Sequence, residues 1–204
     1  TTKLTSPASR SLRTIGKIAL NLLLVAATAL ISLLVHEFAH GLTTAALGGK
    51  LESLYVYPGI QIWPSMGERF PFEWGNLMGM ARLAYPPEWD SYAWQVGLIA
   101  LMGSGTNFIL GSLALVGLWI FHPKGWLRKA LLLEALVFWD LPFYVFFPLL
   151  GWRHFIFFGG YTPESLDGLR ILGFPDWIAL ELIFIACFLW LVGYLLYLRR
   201  PVRK

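Results

Sequence analysis

From Ser91 to Pro123 the chain runs for 33 residues without a single Asp, Glu, Lys or Arg. As a helix that run would be about 50 Å long, and roughly 20 apolar residues already cross the hydrocarbon core of a bilayer. Three other stretches are of the same kind. Ile18 to Val35 carries no charge, Ala130 to Leu150 carries only Glu134 and Asp140, and Leu182 to Leu198 carries none. Of all 204 residues 57% are hydrophobic and 14% charged, whereas soluble domains average about 25% charged. A chain of this length has too little interior to hide so much apolar surface from water. The expected fold class is therefore an all-α polytopic membrane protein, a single transmembrane domain over residues 1–204. Its spans are expected at about 17–47, 92–121, 129–150 and 176–198, with a membrane-edge hairpin and loop over 50–90. The third span, with two acids and two prolines, is expected to be irregular.

The net charge of +4 is distributed in a way that suits lipid and not nucleic acid. Lys3, Arg10, Arg13 and Lys17 precede the first span, Lys124, Arg128 and Lys129 lie between the second and third, and Arg199, Arg200, Arg203 and Lys204 follow the fourth. The connections 48–91 and 151–175 are much longer yet carry only three and two basic residues. The positive-inside rule then places both termini and the 124–129 loop in the cytoplasm, as an even number of spans requires. The expected location is an integral, multi-pass membrane protein. No cleavable signal is expected, because no small-residue cleavage site follows the first apolar run. The lone Cys187 falls within the fourth span and reads as a packed apolar side chain.

Gly48-Gly49 is a natural stop for the first helix. Beyond it, Tyr55-Val56-Tyr57 and Ile60-Gln61-Ile62 are β-prone runs around Pro58-Gly59, which predicts a small β-hairpin over residues 51–63. Residues 64–90, rich in Pro, Gly, Trp and Phe, suit an interfacial loop or an ordered connector.

The first span ends in LLVHEFAHGL. His36 and His40 are four residues apart and share a helix face. Two imidazole nitrogens at that spacing can reach one Zn²⁺, and Glu37 beside them can take a proton from an attacking water that the metal makes acidic. This is the H-E-x-x-H arrangement of metalloproteases. The bland alternative is that these groups pair with polar groups of a neighbouring helix. A catalytic zinc needs a third protein ligand, for which Glu134, Asp140, His122, His154, Glu164, Asp167 and Asp176 are candidates. Asp140 lies inside a span, and Pro142 disfavours helical backbone at Leu141, so the chain could break beside Asp140 and aim its carboxylate inward.

HEFAH at the end of a transmembrane helix, followed by Gly48-Gly49 and a hairpin, resembles the site-2-protease-type intramembrane zinc metalloproteases. MGSGTN, Met102 to Asn107, is similar to that family's G-P-x-x-N, with Ser104 in place of the proline. SLDGLRIL, Ser165 to Leu172, is similar to its P-L-D-G-G-R-I-L, with Leu169 in place of the second glycine. The resemblance implies that Asp167 is the third zinc ligand and that Asn107 positions the substrate. Gly103, Asn107 and Gly111 also share a helix face, which fits simple interhelical contact. FWDLP, Phe138 to Pro142, is similar to a segment that the family carries only a few residues before its Asp. Here some 25 residues separate the two. Either GWRHFIFFGGYTPE is an insertion, or Asp140 is the third ligand instead. The resemblance implies one bound zinc, a lipid bilayer around the chain, and a membrane protein or peptide as substrate. It implies hydrolysis of peptide bonds in or beside the membrane, with the 51–63 hairpin capturing an extended segment by strand addition. Two other readings remain open: a catalytically degenerate, metal-binding membrane interaction protein, and an ion-coupled transporter using the intramembrane acids. The face to which the site opens is open as well. The uncharged run before His36 covers about 27 Å, which puts the motif toward the non-cytoplasmic end, whereas the family more often cleaves near the cytoplasm.

Overall fold

The computed structural model describes residues 7–91, 93–155 and 159–200, with side chains from residue 15 onward. Lys3, Arg203, Lys204, the first residue of the expected second span and part of the 151–164 insertion lie outside the described residues, as do the side chains of Arg10 and Arg13. The elements in order are α1 (Pro7–Ala46), β1 (Lys50–Val56), β2 (Ile60–Trp63), β3 (Gly79–Ala84), α2 (Trp94–Phe121), α3 (Gly125–Leu136), a 3₁₀ turn (Val137–Trp139), α4 (Asp140–Leu149), α5 (Glu164–Ile171) and α6 (Asp176–Leu198).

Among the described residues four helical stretches are long and apolar enough to cross a membrane: Ile15–Ala46, Trp94–Phe121, Gly125–Leu149 and Asp176–Leu198. The most apolar stretch of α1 has none of its residues buried in protein, and Ile18, Leu20, Leu22 and Leu23 are all exposed. Lipid is the environment that takes such a surface out of water. The third span is irregular as expected, and the irregularity lies beside Asp140, immediately before it and not at Leu141. The backbone tightens to 3₁₀ over Val137–Trp139, and α4 restarts at Asp140. Pro142 therefore sits in the first turn of a helix, where its missing N–H leaves no bond unmade.

The helices pack around two clusters. In one, Phe138 stacks on Trp190 at 3.7 Å between ring centroids, among Leu115, Leu118, Ala135 and Tyr194. In the other, Leu166 and Leu169 of α5 are buried with Leu141 and Val145 of α4 and Ala179 and Ile183 of α6. α5 lies so close to α2 that a Cβ at Gly97 would come within 2.9 Å of the Gly168 carbonyl. Glycine at both positions lets the two backbones touch.

The expected hairpin is part of a three-stranded antiparallel sheet of order β2-β1-β3. Its third strand comes from the stretch read as a loop. β1 turns back along α1, so that Lys50 pairs with Ala84 and Val56 with Gly79. The Gly79 end of the sheet reaches the level of Glu37, whose side chain a Cβ at Gly79 would strike.

Basic residues gather at the opposite end of the bundle. Arg200 lies over the Trp119 ring at 3.8 Å and Arg128 over Tyr197 at 5.7 Å. Lys129 donates a hydrogen bond to Asn21 near the start of the first span.

Candidate metal centre

His36 and His40 project from one face of α1 and bring their Nε2 atoms to 3.2 Å from each other. Both imidazoles are buried. Each is fixed from behind through Nδ1. That of His36 donates to Asp140 Oδ2 at 2.7 Å, and that of His40 donates to the carbonyl oxygen of Ile99 at 2.7 Å. A carbonyl can only accept, so the proton of His40 sits on Nδ1; the carboxylate selects the same tautomer for His36. Both Nε2 atoms therefore turn lone pairs toward the same point. Glu164 Oε2 stands 3.5 Å from each of them. That oxygen is buried and has no hydrogen-bond partner.

Two imidazole lone pairs and a carboxylate oxygen, their donor atoms all within 4.8 Å of one another, repel unless a cation lies among them. Two nitrogens and one carboxylate oxygen form a donor set that suits zinc. α2 leaves the space open: a Cβ at Gly103 would collide with the Nε2 atoms of both histidines. On these grounds the residues present fit a metal ion.

Glu164 is delivered by a tied-down loop. It opens α5 directly after Pro163, and Leu166 and Leu169 anchor that helix in the core. In the preceding loop, buried His154 donates from Nε2 to the Thr162 carbonyl at 2.7 Å, and its backbone N–H bonds Gly160. Arg153 donates to the Gly159 carbonyl. Burial dominates at His154 and pushes it down from the ordinary histidine value, so it is neutral at pH 7.

The expected site residues divide as follows. His36, His40 and Glu37 are together. Glu37 is buried beside the pair, against β3, and accepts a backbone hydrogen bond from Ala81. Asp140 is present but behind the site, bonded to His36 Nδ1 and not facing Nε2. Asn107 donates to the same Asp140 oxygen at 2.8 Å and to the Ser32 carbonyl at 3.2 Å. These bonds latch α1, α2 and α4 together behind His36. Asp167, expected as the third ligand, is not brought to the pair. Its carboxylate accepts from Arg170 Nη1 at 2.6 Å, and Arg170 also bonds Asp176. Glu164 is three residues earlier on the same helix, a step that turns about 300° and rises roughly 4.5 Å. The structure brings Glu164 to the histidines and leaves Asp167 in the arginine cluster. Of the other candidates, His122 caps the far end of α2, and Glu134 lies in α3.

Two cavities meet at this centre. One, of about 560 Å³, lies between α1 and α3–α4 and is lined by Ala29, Leu33, His36, Asp140, Phe143 and Tyr144, among others. The second, of about 370 Å³, runs along β3 and is lined by Glu37, His40, Met80, Tyr144, His154 and Glu164, among others. Tyr144 belongs to both walls, with its ring 4.5 Å from that of His36 and 3.8 Å from that of His154. Nothing in the sequence singled it out.

Residues 24–190 match the family model described as Peptidase family M50. No curated protein and no solved structure matches the chain.

Proposed function

Because the chain belongs to Peptidase family M50, the site-2-protease family, we propose that it is an intramembrane zinc endopeptidase that hydrolyses peptide bonds of membrane-embedded or membrane-proximal substrates. The observation that carries this reading is the convergence of His36, His40 and Glu164 beside a buried Glu37 on a membrane-spanning helix.

His36, His40 and Glu164 would hold the zinc, with Glu164 taking the place expected for Asp167. Bound there, zinc supplies Lewis acidity, which acidifies water and polarises a carbonyl. Glu37 takes the proton of the attacking water. The water oxygen bonds to the carbonyl carbon, the C–N bond breaks, and Glu37 passes its proton to the leaving nitrogen. Asp140 acts through His36 by keeping its proton on Nδ1 and fixing the ring. Both bonds of Asn107 support a positioning role through Asp140.

A substrate helix shields its own peptide bonds, so the scissile segment must be extended. β1 is the central strand and has no free edge, which leaves β3 as the edge beside Glu37. An extended segment adding to β3 would pass the base directly. In this reading the termini and the 124–129 loop are cytoplasmic. Lys124, Arg128, Lys129, Arg199 and Arg200 lie at the bundle end away from the sheet, and Glu52, Glu68, Glu73, Glu88 and Asp90 lie on the sheet side. His36 is ten residues from the end of α1, about 15 Å along the helix, so the site opens to the non-cytoplasmic face.

Purified protein carrying Glu37→Gln should retain zinc and lose cleavage of a membrane-protein substrate. Cleavage at the wild-type rate by that variant would sink the mechanism.

A further inference from the structure

Tyr144 is the polar group at this centre for which hydrolysis as described has no task. The residue is 7% exposed. Its ring is held between the imidazoles of His36 and His154. Among the described residues its hydroxyl makes no hydrogen bond, and it is not one of the fully buried unpartnered atoms, so it borders open space. The residue lines both cavities, the one that reaches His36 and Asp140 and the one that reaches Glu37, His40 and Glu164. An extended substrate lying along β3 passes through the second of these.

We propose that Tyr144 is a catalytic residue whose hydroxyl donates a hydrogen bond to the carbonyl oxygen of the scissile peptide bond. The inference rests on the peptidase reading above. When the water oxygen bonds to the carbonyl carbon, the π electrons of the C=O move onto oxygen. The phenol O–H, protonated at neutral pH with a free pKa of about 10, donates to that growing negative charge and keeps its proton throughout. As the C–N bond breaks, the oxygen lone pair re-forms the C=O π bond, the C–N electron pair leaves on the nitrogen that takes the proton from Glu37, and the hydrogen bond weakens. A donor already aimed at the place where charge develops needs no reorganisation at the moment of reaction, which is what makes it effective. The two imidazoles flanking the ring fix its direction. His154 serves this purpose while also holding the loop that delivers Glu164.

The competing role is packing: a ring that fills the gap between two imidazoles. Tyr144→Phe separates the two, because it keeps the ring and removes only the oxygen. In full-length protein in proteoliposomes, with wild-type turnover first shown to depend on Glu37, Tyr144→Phe should lower kcat by about 100- to 1,000-fold. KM should stay within about threefold, and zinc content and thermal midpoint should be unchanged. Binding of a phosphinic peptide, whose tetrahedral oxygens mimic the attacked carbonyl, should weaken by a similar factor, read by calorimetry without turnover. A Tyr144→Phe enzyme with wild-type kcat and phosphinate affinity overturns the proposal. So does one that has lost zinc or stability in proportion to its activity. Absence of wild-type cleavage, or cleavage indifferent to Glu37→Gln, would instead remove the peptidase reading, and this proposal with it.

Discussion

Replacing Asp140 probes how the buried bonds behind His36 set the chemistry in front of it. Its Oδ2 accepts from His36 Nδ1 at 2.7 Å and from Asn107 Nδ2 at 2.8 Å, and its side chain is 10% exposed. Asp140→Ala leaves the His36 Nδ1–H without a partner, at a cost of about 1–3 kcal/mol, and reduces Asn107 Nδ2 to its bond with the Ser32 carbonyl. It also frees the His36 ring to rotate or change tautomer. Loss of such an outer partner typically weakens metal binding about 10- to 100-fold, or about 1.4–2.8 kcal/mol. Asp140→Asn is gentler. The Asn107 amide still demands an acceptor at that place, which keeps the new side chain's oxygen toward His36 and preserves the tautomer while removing the charge. The expected order of zinc affinity is wild type, then Asp140→Asn within about tenfold, then Asp140→Ala at 10- to 100-fold weaker. Competition with a chromogenic chelator measures it. Zinc affinity unchanged in Asp140→Ala would refute the positioning role. Abolition of binding by Asp140→Asn would refute it from the other side, by making Asp140 a ligand.

Gly103→Ala places a methyl group against both histidine Nε2 atoms, so zinc content should fall sharply while far-UV circular dichroism keeps the helical signal. His154 has its pKa pushed below 6.5 by burial, so below that value the unfolded chain binds the proton more readily than the native one. Stability should therefore be full above about pH 6.5 and decline as pH falls below it; His154→Gln should flatten this part of a thermal-midpoint profile. Finally, in a Cys187→Ser background, a membrane-impermeant maleimide added to intact cells should label Glu88→Cys and spare Lys124→Cys. The reverse pattern would turn the chain over in the membrane.

Much of the architecture is legible in the sequence because lipid imposes a single demand, length without charge, and four stretches meet it. His36, Glu37 and His40 are legible for a related reason: helical periodicity alone puts the two histidines on one face. The third donor is not legible. Glu164 and Asp167 are carboxylates on one short helix, and which of them faces α1 is decided by the Gly97–Gly168 contact, by burial of Leu166 and Leu169, and by Arg170 engaging Asp167. None of these is local in sequence. β3 is not legible because GMARLA lacks apolar–polar alternation; the strand is selected by β1 and by the side of α1. Tyr144, one ring in an aromatic-rich segment, has no distinguishing neighbour until the fold sets it between His36 and His154.

Zinc stoichiometry by elemental analysis, with metal–ligand distances by X-ray absorption, should be measured side by side on the wild type, Glu164→Gln and Asp167→Asn. One zinc in the wild type and in Asp167→Asn, with a nitrogen-and-carboxylate coordination shell in both, and its loss in Glu164→Gln, is the expected result. Zinc retained in Glu164→Gln and lost in Asp167→Asn would contradict the site described here.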